Sequence, residues 1–88
     1  MTNVIKRDDR REDFSRDKIR RGIESAARRA KVDQKRSRDI ADKVAKKVED
    51  NFRNRDEVRS SDIRNRVVSE LEKENKSLAK EFRSFRKD

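Results

Sequence analysis

The sequence lacks the side chains on which much enzyme and metal chemistry depends. Its 88 residues include no cysteine and no histidine. Disulfides, thiol chemistry, the usual zinc sites and Ser-His-Asp or Cys-His catalytic sets are therefore excluded. No other pattern pairs a nucleophile with a base or gathers metal ligands, so we do not expect an enzyme. No apolar run approaches a membrane span, and the N-terminus lacks a signal peptide, so we expect a soluble cytoplasmic protein without a membrane partner.

Glycine, proline and apolar residues are also scarce. Proline is absent and glycine occurs once, at Gly22, so no flexible linker is visible. We therefore predict that residues 1–88 form a single domain. Charged residues make up 53% of the chain and hydrophobic residues 28%, a composition that by itself leans towards disorder. Any fold must therefore depend on where the few apolar residues stand. The net charge of +9 favours anionic partners: nucleic acid, nucleotides or an acidic protein.

The apolar residues that are present recur at helical spacing in four segments, which predicts four amphipathic helices. The predicted buried faces are Ile19, Ile23, Ala26, Ala27 and Ala30; Ile40, Ala41, Val44, Ala45, Val48 and Phe52; Ile63, Val67, Val68 and Leu71; and Leu78, Ala79, Phe82 and Phe85. The predicted N-caps are Ser15, Asp33 or Ser37, Ser60 or Ser61, and Asn75. Gly22 costs its helix about 1 kcal/mol relative to alanine, and a close contact with another element or a ligand would be a reason for it.

Short strands are predicted near the N-terminus and in the second half of the chain. Val4 to Arg7 is a strand candidate, Asp8-Asp9 a turn, and Arg10 to Phe14 a returning strand. Val58-Arg59 predicts a further short strand before the third helix. The fold class is therefore α+β, mainly α: a four-helix bundle with a small two- to three-stranded sheet or hairpin.

Three segments, in this order, are similar to the ATP-cone domain. "VIKRDDRREDFSRDKIRRGI" resembles the family's opening: a Val-x-Lys-Arg-Asp-Gly turn, an acidic residue, an apolar residue, a polar cap, and a helix carrying Lys-Ile. The residues that match without a gap are Val4, Lys6, Arg7, Asp8, Glu12, Phe14, Ser15, Lys18 and Ile19. "EVRSSDIRNRVVSEL" resembles the family's strand and third helix, and "LAKEFRSFR" its last helix. The resemblance covers roughly residues 3 to 87 of this chain.

The resemblance implies a fold and a function. ATP-cones are four-helix bundles capped by a small three-stranded sheet, and they bind ATP or dATP under that cap as regulatory modules. They occur at the N-termini of ribonucleotide reductase large subunits and after the zinc ribbon of the repressor of reductase genes. By resemblance, this chain is a stand-alone or excised nucleotide-sensing allosteric module. Its ligand would be ATP or dATP with Mg²⁺ carried by the triphosphate, and it would act on a separate protein chain or through self-association.

The resemblance also implies which residues bind the phosphates. Lys6, Arg7 and Lys18 would face the triphosphate, because a triphosphate needs several cations and helix N-terminal donors. Ser60 would bond it, and Arg64 would approach the ribose or the phosphates.

The remaining implied site residues lie around the base. Glu12 and Ser15 would lie near the adenine, with Glu12 accepting from its amino group, while Ile19 and Ile63 would pack on the ring. Val4 and the distal cation Arg86 complete the implied nucleotide-binding set.

The sequence departs from the family at Asp9, which stands where the family usually has glycine. Aspartate can adopt left-handed backbone at a cost that glycine avoids. Its charge near the proposed phosphates would weaken binding or require magnesium.

Two other classes of function fit the basic composition. A nucleic-acid surface would use the run Arg10, Arg11, Arg16, Arg20, Arg21, Arg28 and Arg29. Acids interrupt this run, and no helix-turn-helix or RNA-binding signature is evident, which favours nonspecific contact. A helical module that docks on an acidic protein partner is the other alternative.

Overall fold

The structure is a computed structural model that describes residues 2–85 of the chain. Its elements in chain order are β1 (Asn3–Ile5), β2 (Arg11–Asp13), α1 (Arg16–Arg29), α2 (Gln34–Phe52), β3 (Glu57–Arg59), α3 (Ser60–Glu74) and α4 (Lys76–Ser84). The predicted α+β, mainly α class is confirmed, and the sheet, predicted to have two or three strands, has three. Arg86 lies outside the described residues.

The four helices form a ring around the core. α1 packs on α2, α2 on α3, α3 on α4, and α4 on α1. The core contains Val4, Ile23, Ala26, Ala27, Ile40, Ala41, Val44, Val48, Phe52, Val58, Val67, Leu71, Leu78 and Ala79. Most of the residues that the four periodic patterns predicted to be buried are therefore in the core, with Ile19, Ile63 and Phe82 packed half-buried at its margin.

Three helices begin at the predicted caps. Ser15 Oγ accepts the backbone N–H of Lys18 at 3.2 Å, Asp33 Oδ1 that of Arg36 at 2.9 Å, and Asn75 Oδ1 that of Leu78 at 3.0 Å. Each bond satisfies one of the N–H groups that a helix start leaves without a helical partner. Asp33 rather than Ser37 is therefore the start of α2.

The predicted cap of α3 is wrong. The helix follows β3 without an intervening residue, and its N-cap is Arg59, which makes no side-chain capping bond. Ser60 and Ser61 are instead the first two helical residues. Because the chain passes directly from strand to helix, the position before the first turn falls on the strand's last residue.

The three-stranded sheet has the order β2-β1-β3, with β1 antiparallel to β2 and parallel to β3. β1 ends at Ile5 and not at Arg7 as predicted, because the hairpin loop is longer than two residues. Lys6 N–H donates to the Arg10 carbonyl at 2.8 Å and Asp9 N–H to the Lys6 carbonyl at 2.9 Å. Residues 7–9 therefore form a three-residue loop, whose last residue, Asp9, has the left-handed φ of 67°.

Thr2 attaches the sheet to the end of α2. Its hydroxyl donates to the carbonyls of Arg55 at 2.8 Å and Phe52 at 3.3 Å, and Asn3 N–H donates to the Asp56 carbonyl at 2.8 Å. The sheet thus covers the end of the bundle where α2 finishes and where α1 and α3 begin.

Two positions near the last helix differ from the prediction. Phe85 lies one residue beyond α4 and is 47% exposed, so its placement in the core is wrong. The guanidinium of Arg29 lies 4.4 Å from the centre of its ring, which partly shields the ring from water. Val68 is half-buried and outside the core cluster.

Glu70 of α3 is buried, with 3% of its surface exposed. Its carboxylate lies 3.1 Å from Arg66, 3.5 Å from Lys47 and 3.7 Å from Lys73. A buried carboxylate is costly unless it is paired, and three cations here supply the pairing.

Gly22 lies in α1 opposite Phe82 of α4. A methyl group added at Gly22 would lie 3.5 Å from Cε2 of Phe82, an ordinary van der Waals distance. The glycine also has no left-handed backbone to explain it. Packing within the described residues therefore does not require glycine at this position.

Candidate functional site

The inner face of the sheet combines apolar and charged side chains. Val4 pairs with Glu12 on one side and with Val58 on the other, and paired residues point to the same face. Because Val4 and Val58 are buried, this face lies towards the helices. By alternation, Lys6 follows on the same side. A cation and a carboxylate are thus held next to the apolar contact between sheet and bundle.

Glu12 forms an ion pair with the first turn of α1. Lys18 Nζ lies 2.9 Å from Glu12 Oε1. The hydrogen bond from Lys18, with its charge and that of Lys6, holds the pKa of Glu12 below its usual range. Ser15 sets this geometry by capping α1, which fixes Lys18 over the sheet edge. Glu12 is therefore ionised at neutral pH, and Lys18 is bonded to it.

The cationic loop lies beside the start of α3. In a parallel pair both strands end at the same edge of the sheet, so the chain after β1 and the chain after β3 emerge together. Lys6 and Arg7 follow β1, and Ser60 follows β3. Since no side chain caps α3, its first N–H groups and the positive end of its dipole face this edge. Within residues 2–85 the half-buried Ser60 makes no side-chain hydrogen bond.

The loop itself borders a shallow cleft. Lys6, Arg7, Asp8 and Arg10 line about 240 Å³ of open space. Asp8 accepts from the Arg10 backbone at 3.2 Å and from its Nε at 2.8 Å, and the side-chain bond holds the pKa of Asp8 below its usual range. Arg7 is exposed and has no ion pair in the part of the chain that the structure describes. Asp9 has the left-handed backbone expected where the family has glycine.

Arg64 is bonded to the end of α4. Its Nη2 donates to the carbonyls of Phe82 at 3.0 Å and of Arg83 and Phe85, both at 2.7 Å. The guanidinium also lies 5.4 Å from the centre of the Phe82 ring. The carbonyls of Phe82 and Arg83 are among the last four of α4, which have no partner within the helix, so Arg64 stabilises the end of α4.

Ile19 and Ile63 are half-buried against the core beneath this region. The structure therefore brings together Val4, Lys6, Glu12, Ser15 and Lys18 around the sheet, and Arg7 and Ser60 at its edge. Arg64 is not part of this group, because its guanidinium is bonded to the carbonyls at the end of α4.

The chemistry of these groups fits an adenine nucleotide. Two loop cations and an uncapped helix N-terminus are suitable partners for phosphate. A carboxylate suits the amino group of a base, and the isoleucines offer apolar surface to a ring. Within the described residues no group of three or more carboxylates could hold a metal ion.

Much of the basic run expected to contact nucleic acid is paired with acids. The pairs are Arg10 with Asp8, Arg11 with Glu57, Arg16 with Glu49, Arg20 with Asp17 and Glu24, and Arg21 with Asp17. These pairs lower the positive potential around the five arginines, so this part of the run is a poor surface for an extended nucleic-acid backbone, whereas the loop cations Lys6 and Arg7 are not among the pairs. No helix in residues 2–85 combines the length and apolar character needed to cross a membrane.

A small helical bundle with a cationic, sheet-capped end is the class of protein that these features define. The family model described as ATP cone domain matches residues 2–88, and the chain belongs to the ATP-cone family. The resemblance noted in the sequence is thus confirmed. ATP-cone domains are nucleotide-sensing regulatory modules that generally bind ATP or dATP.

The chain is also similar to a curated bacterial protein, the transcriptional repressor NrdR of Streptococcus uberis (strain ATCC BAA-854 / 0140J). The two share 38% identity over 68 residues, which are 77% of this chain and 40% of the repressor. The chain thus spans well under half the length of that relative. No solved structure matches the chain.

Proposed function

We propose that residues 1–88 form one ATP-cone domain that binds ATP or dATP beneath its sheet and acts as an allosteric module, not as an enzyme. The main support is the parallel pairing of β1 with β3, which brings Lys6 and Arg7 to the uncapped start of α3. The other three described helices offer no such combination, since Ser15, Asp33 and Asn75 cap the N-termini of α1, α2 and α4.

In this proposal, Lys6 and Arg7 neutralise the triphosphate while Ser60 and the first amides of α3 donate hydrogen bonds to it. Lys18 leaves Glu12 and joins the phosphates. Its departure frees Glu12 to accept from the adenine amino group. Mg²⁺ arrives on the triphosphate, because the described residues include no carboxylate cluster to hold it.

The adenine lies against Ile19 and Ile63, with Val4 and Ser15 at the margin and Arg86 as a distal cation. Arg64 reaches the ribose or the phosphates only by leaving the carbonyls of α4. Nucleotide binding therefore loosens the end of α4. In this way the bound ligand changes a part of the protein surface that a partner could recognise.

Occupancy regulates a partner only if the free and bound forms differ in affinity for it. The partner is a second copy of the chain, a separate protein, or another part of a longer protein. The similarity to a transcriptional repressor supports a regulatory role, and the cytoplasm remains the location that we expect for it. The present chain corresponds to 40% of that repressor, so repression itself is not part of the proposal.

Thermal melting with Mg-ATP tests the proposal. At a ligand concentration of about 100 times the dissociation constant, binding adds about 2.7 kcal/mol to the free energy of unfolding. In a domain of this size, we expect the melting temperature to rise by roughly ten degrees or more. ATP and dATP should produce this rise, and GTP should not.

Lys6→Ala should remove most of the ATP-dependent rise, since it deletes a phosphate partner. Lys46→Ala is the matched control, because Lys46 is exposed on α2 and unpaired within residues 2–85. Equal shifts with ATP and GTP, or an undiminished shift in Lys6→Ala, would contradict the proposal.

A further inference from the structure

The turn between α1 and α2 carries the densest positive charge of the chain. We call residues 28–38 the α1–α2 end. Its cations are Arg28, Arg29, Lys31, Lys35, Arg36 and Arg38, and its acid is Asp33, which together contribute +5 of the net charge of +9. All seven side chains are exposed.

These cations are largely without acidic partners. In the described part of the chain, Arg29 is the one member of the six that forms an ion pair, with Glu81 at 3.5 Å. The carboxylate of Asp33 caps α2 through the backbone of Arg36. The arginines of the hairpin and the start of α1 are instead neutralised by neighbouring acids. Asp39, the next residue of α2, is also exposed and lies with Glu74 around the same open cleft as Lys35 and Arg36, so the end keeps an excess of positive charge that is smaller there than at Arg28, Lys31 and Arg38.

The turn itself lies at the opposite end of α1 from the sheet, although Arg29 reaches the ring of Phe85, whose carbonyl is bonded to Arg64. The 14 residues of α1 separate the sheet from the turn, a distance of roughly 21 Å at the usual rise per residue. The turn is also well ordered by its bonds: Lys31 N–H donates to the Arg28 carbonyl at 3.2 Å and Val32 N–H to the Ala27 carbonyl at 3.0 Å. Lys31 occupies the left-handed position after the helix, with φ of 60°, where glycine is usual.

The composition of this surface distinguishes between two kinds of anionic partner. Protein interfaces depend on apolar and aromatic anchors at their centre. The two apolar residues of 28–38, Ala30 and Val32, are half-buried, and Phe85, which is 47% exposed beside this end, has one face of its ring covered by the guanidinium of Arg29. Contacts to nucleic-acid phosphates need only cations and polar donors. We propose that the α1–α2 end docks on the phosphate backbone of nucleic acid, without reading its base sequence.

Fluorescence anisotropy with a labelled DNA duplex of about 20 base pairs, titrated between about 50 and 200 mM salt, tests this surface. The test variant is Lys31→Gln/Lys35→Gln/Arg38→Gln. Each lost phosphate contact should reduce the slope of log affinity against log salt by about 0.9, or about 2.7 for three. Two unrelated duplex sequences should bind equally.

The matched control is Arg11→Gln/Arg16→Gln/Arg21→Gln, which removes the same charge from arginines in ion pairs. Its slope should change by less than about 1. Circular dichroism and melting verify that both variants fold. An equal loss of slope in the two variants would overturn the proposal, because binding would then depend on net charge and not on this surface.

Two further measurements distinguish a phosphate-docking surface from the nucleotide site and from a surface for an acidic protein. Mg-ATP should still raise the melting temperature of the Lys31/Lys35/Arg38 variant, since the nucleotide site lies at the sheet. Loss of DNA binding with the ATP response kept supports the α1–α2 end independently of the proposed function. A polyglutamate peptide that binds through the same three residues, with no binding of DNA, would overturn the assignment to nucleic acid.

Discussion

Gly22→Ala is expected to stabilise the free protein. The glycine has no left-handed backbone, and the new methyl group would meet Phe82 at 3.5 Å, which is a normal contact distance. Alanine inside a helix is more favourable than glycine by about 0.8–1.0 kcal/mol. For a domain of this size, that gain corresponds to a rise of about 3–8 °C in melting temperature.

Urea unfolding followed by circular dichroism measures this gain directly. The midpoint should rise while the m-value stays constant, because the substitution alters stability and not the surface exposed on unfolding. Gly22→Val is the matched control. Its additional methyl groups extend about 1.5 Å beyond Cβ towards Phe82, and overpacking of this kind costs about 1–3 kcal/mol. A lower midpoint for Gly22→Ala would refute the argument that α1 and α4 leave room for the methyl group.

Gly22→Ala also tests whether close contact with a bound ligand is the reason for a glycine in α1. If a bound nucleotide lies against this face of the helix, Gly22→Ala should stabilise the free protein and yet reduce the melting shift caused by Mg-ATP. An unchanged shift would place the ligand away from Gly22.

Local geometry leads to three further predictions. Lys31→Gly should raise the free energy of unfolding by about 1 kcal/mol in urea titrations, since glycine avoids the cost of left-handed backbone, whereas Asp9→Gly should gain less because aspartate tolerates it better. The Glu12–Lys18 pair lowers the pKa of Glu12, so its stabilisation is complete above the ordinary value of 4.5 and disappears as the pH falls through the lowered pKa. Denaturation at pH 6 and pH 3 should therefore show that Lys18→Met loses less stability on acidification than the wild type. Arg64→Met should cost about 1–2 kcal/mol and speed amide exchange at the end of α4, and equal exchange rates would contradict the capping role.

Periodicity was sufficient to predict the helices but not the junction between strand and helix. Apolar spacing located all four helices, because each buries one face and little else in the chain is apolar. The predicted start of α3 was wrong. Serine is a favoured N-cap residue, which pointed to Ser60 or Ser61, but the pairing of β3 with β1 moved the helix boundary to Arg59. Local preference was overridden by a contact between segments more than fifty residues apart.

The sequence pattern also did not predict that the charged residue Glu70 is buried. Glu70 stands among basic residues at helical spacing, which is typical of a solvated face. Lys47 comes from another helix, and only the packing of α2 on α3 brings it to the carboxylate. Phe85 shows the reverse case: its spacing continues the apolar face of α4, but the helix ends one residue earlier.

For the candidate site, the resemblance proposed residue types but not the pairings between them. The resemblance located Lys6, Glu12 and Lys18 in the sequence. It did not indicate that Lys18 is bonded to Glu12, because the two residues are six positions apart across a strand end and a cap, where no helical or strand period applies.

The Glu12–Lys18 ion pair also has a consequence for the dose response of a sensor. A ligand that needs Lys18 encounters a site already occupied by an internal competitor. If Lys18 spends one-tenth of its time away from Glu12, half-saturation requires about ten times the ligand concentration that an unpaired lysine would need. The strength of this one pair would therefore help to set the concentration threshold of the proposed response, and a substitution at Glu12 would act on that threshold in two opposing ways, by releasing Lys18 and by removing the proposed contact to adenine.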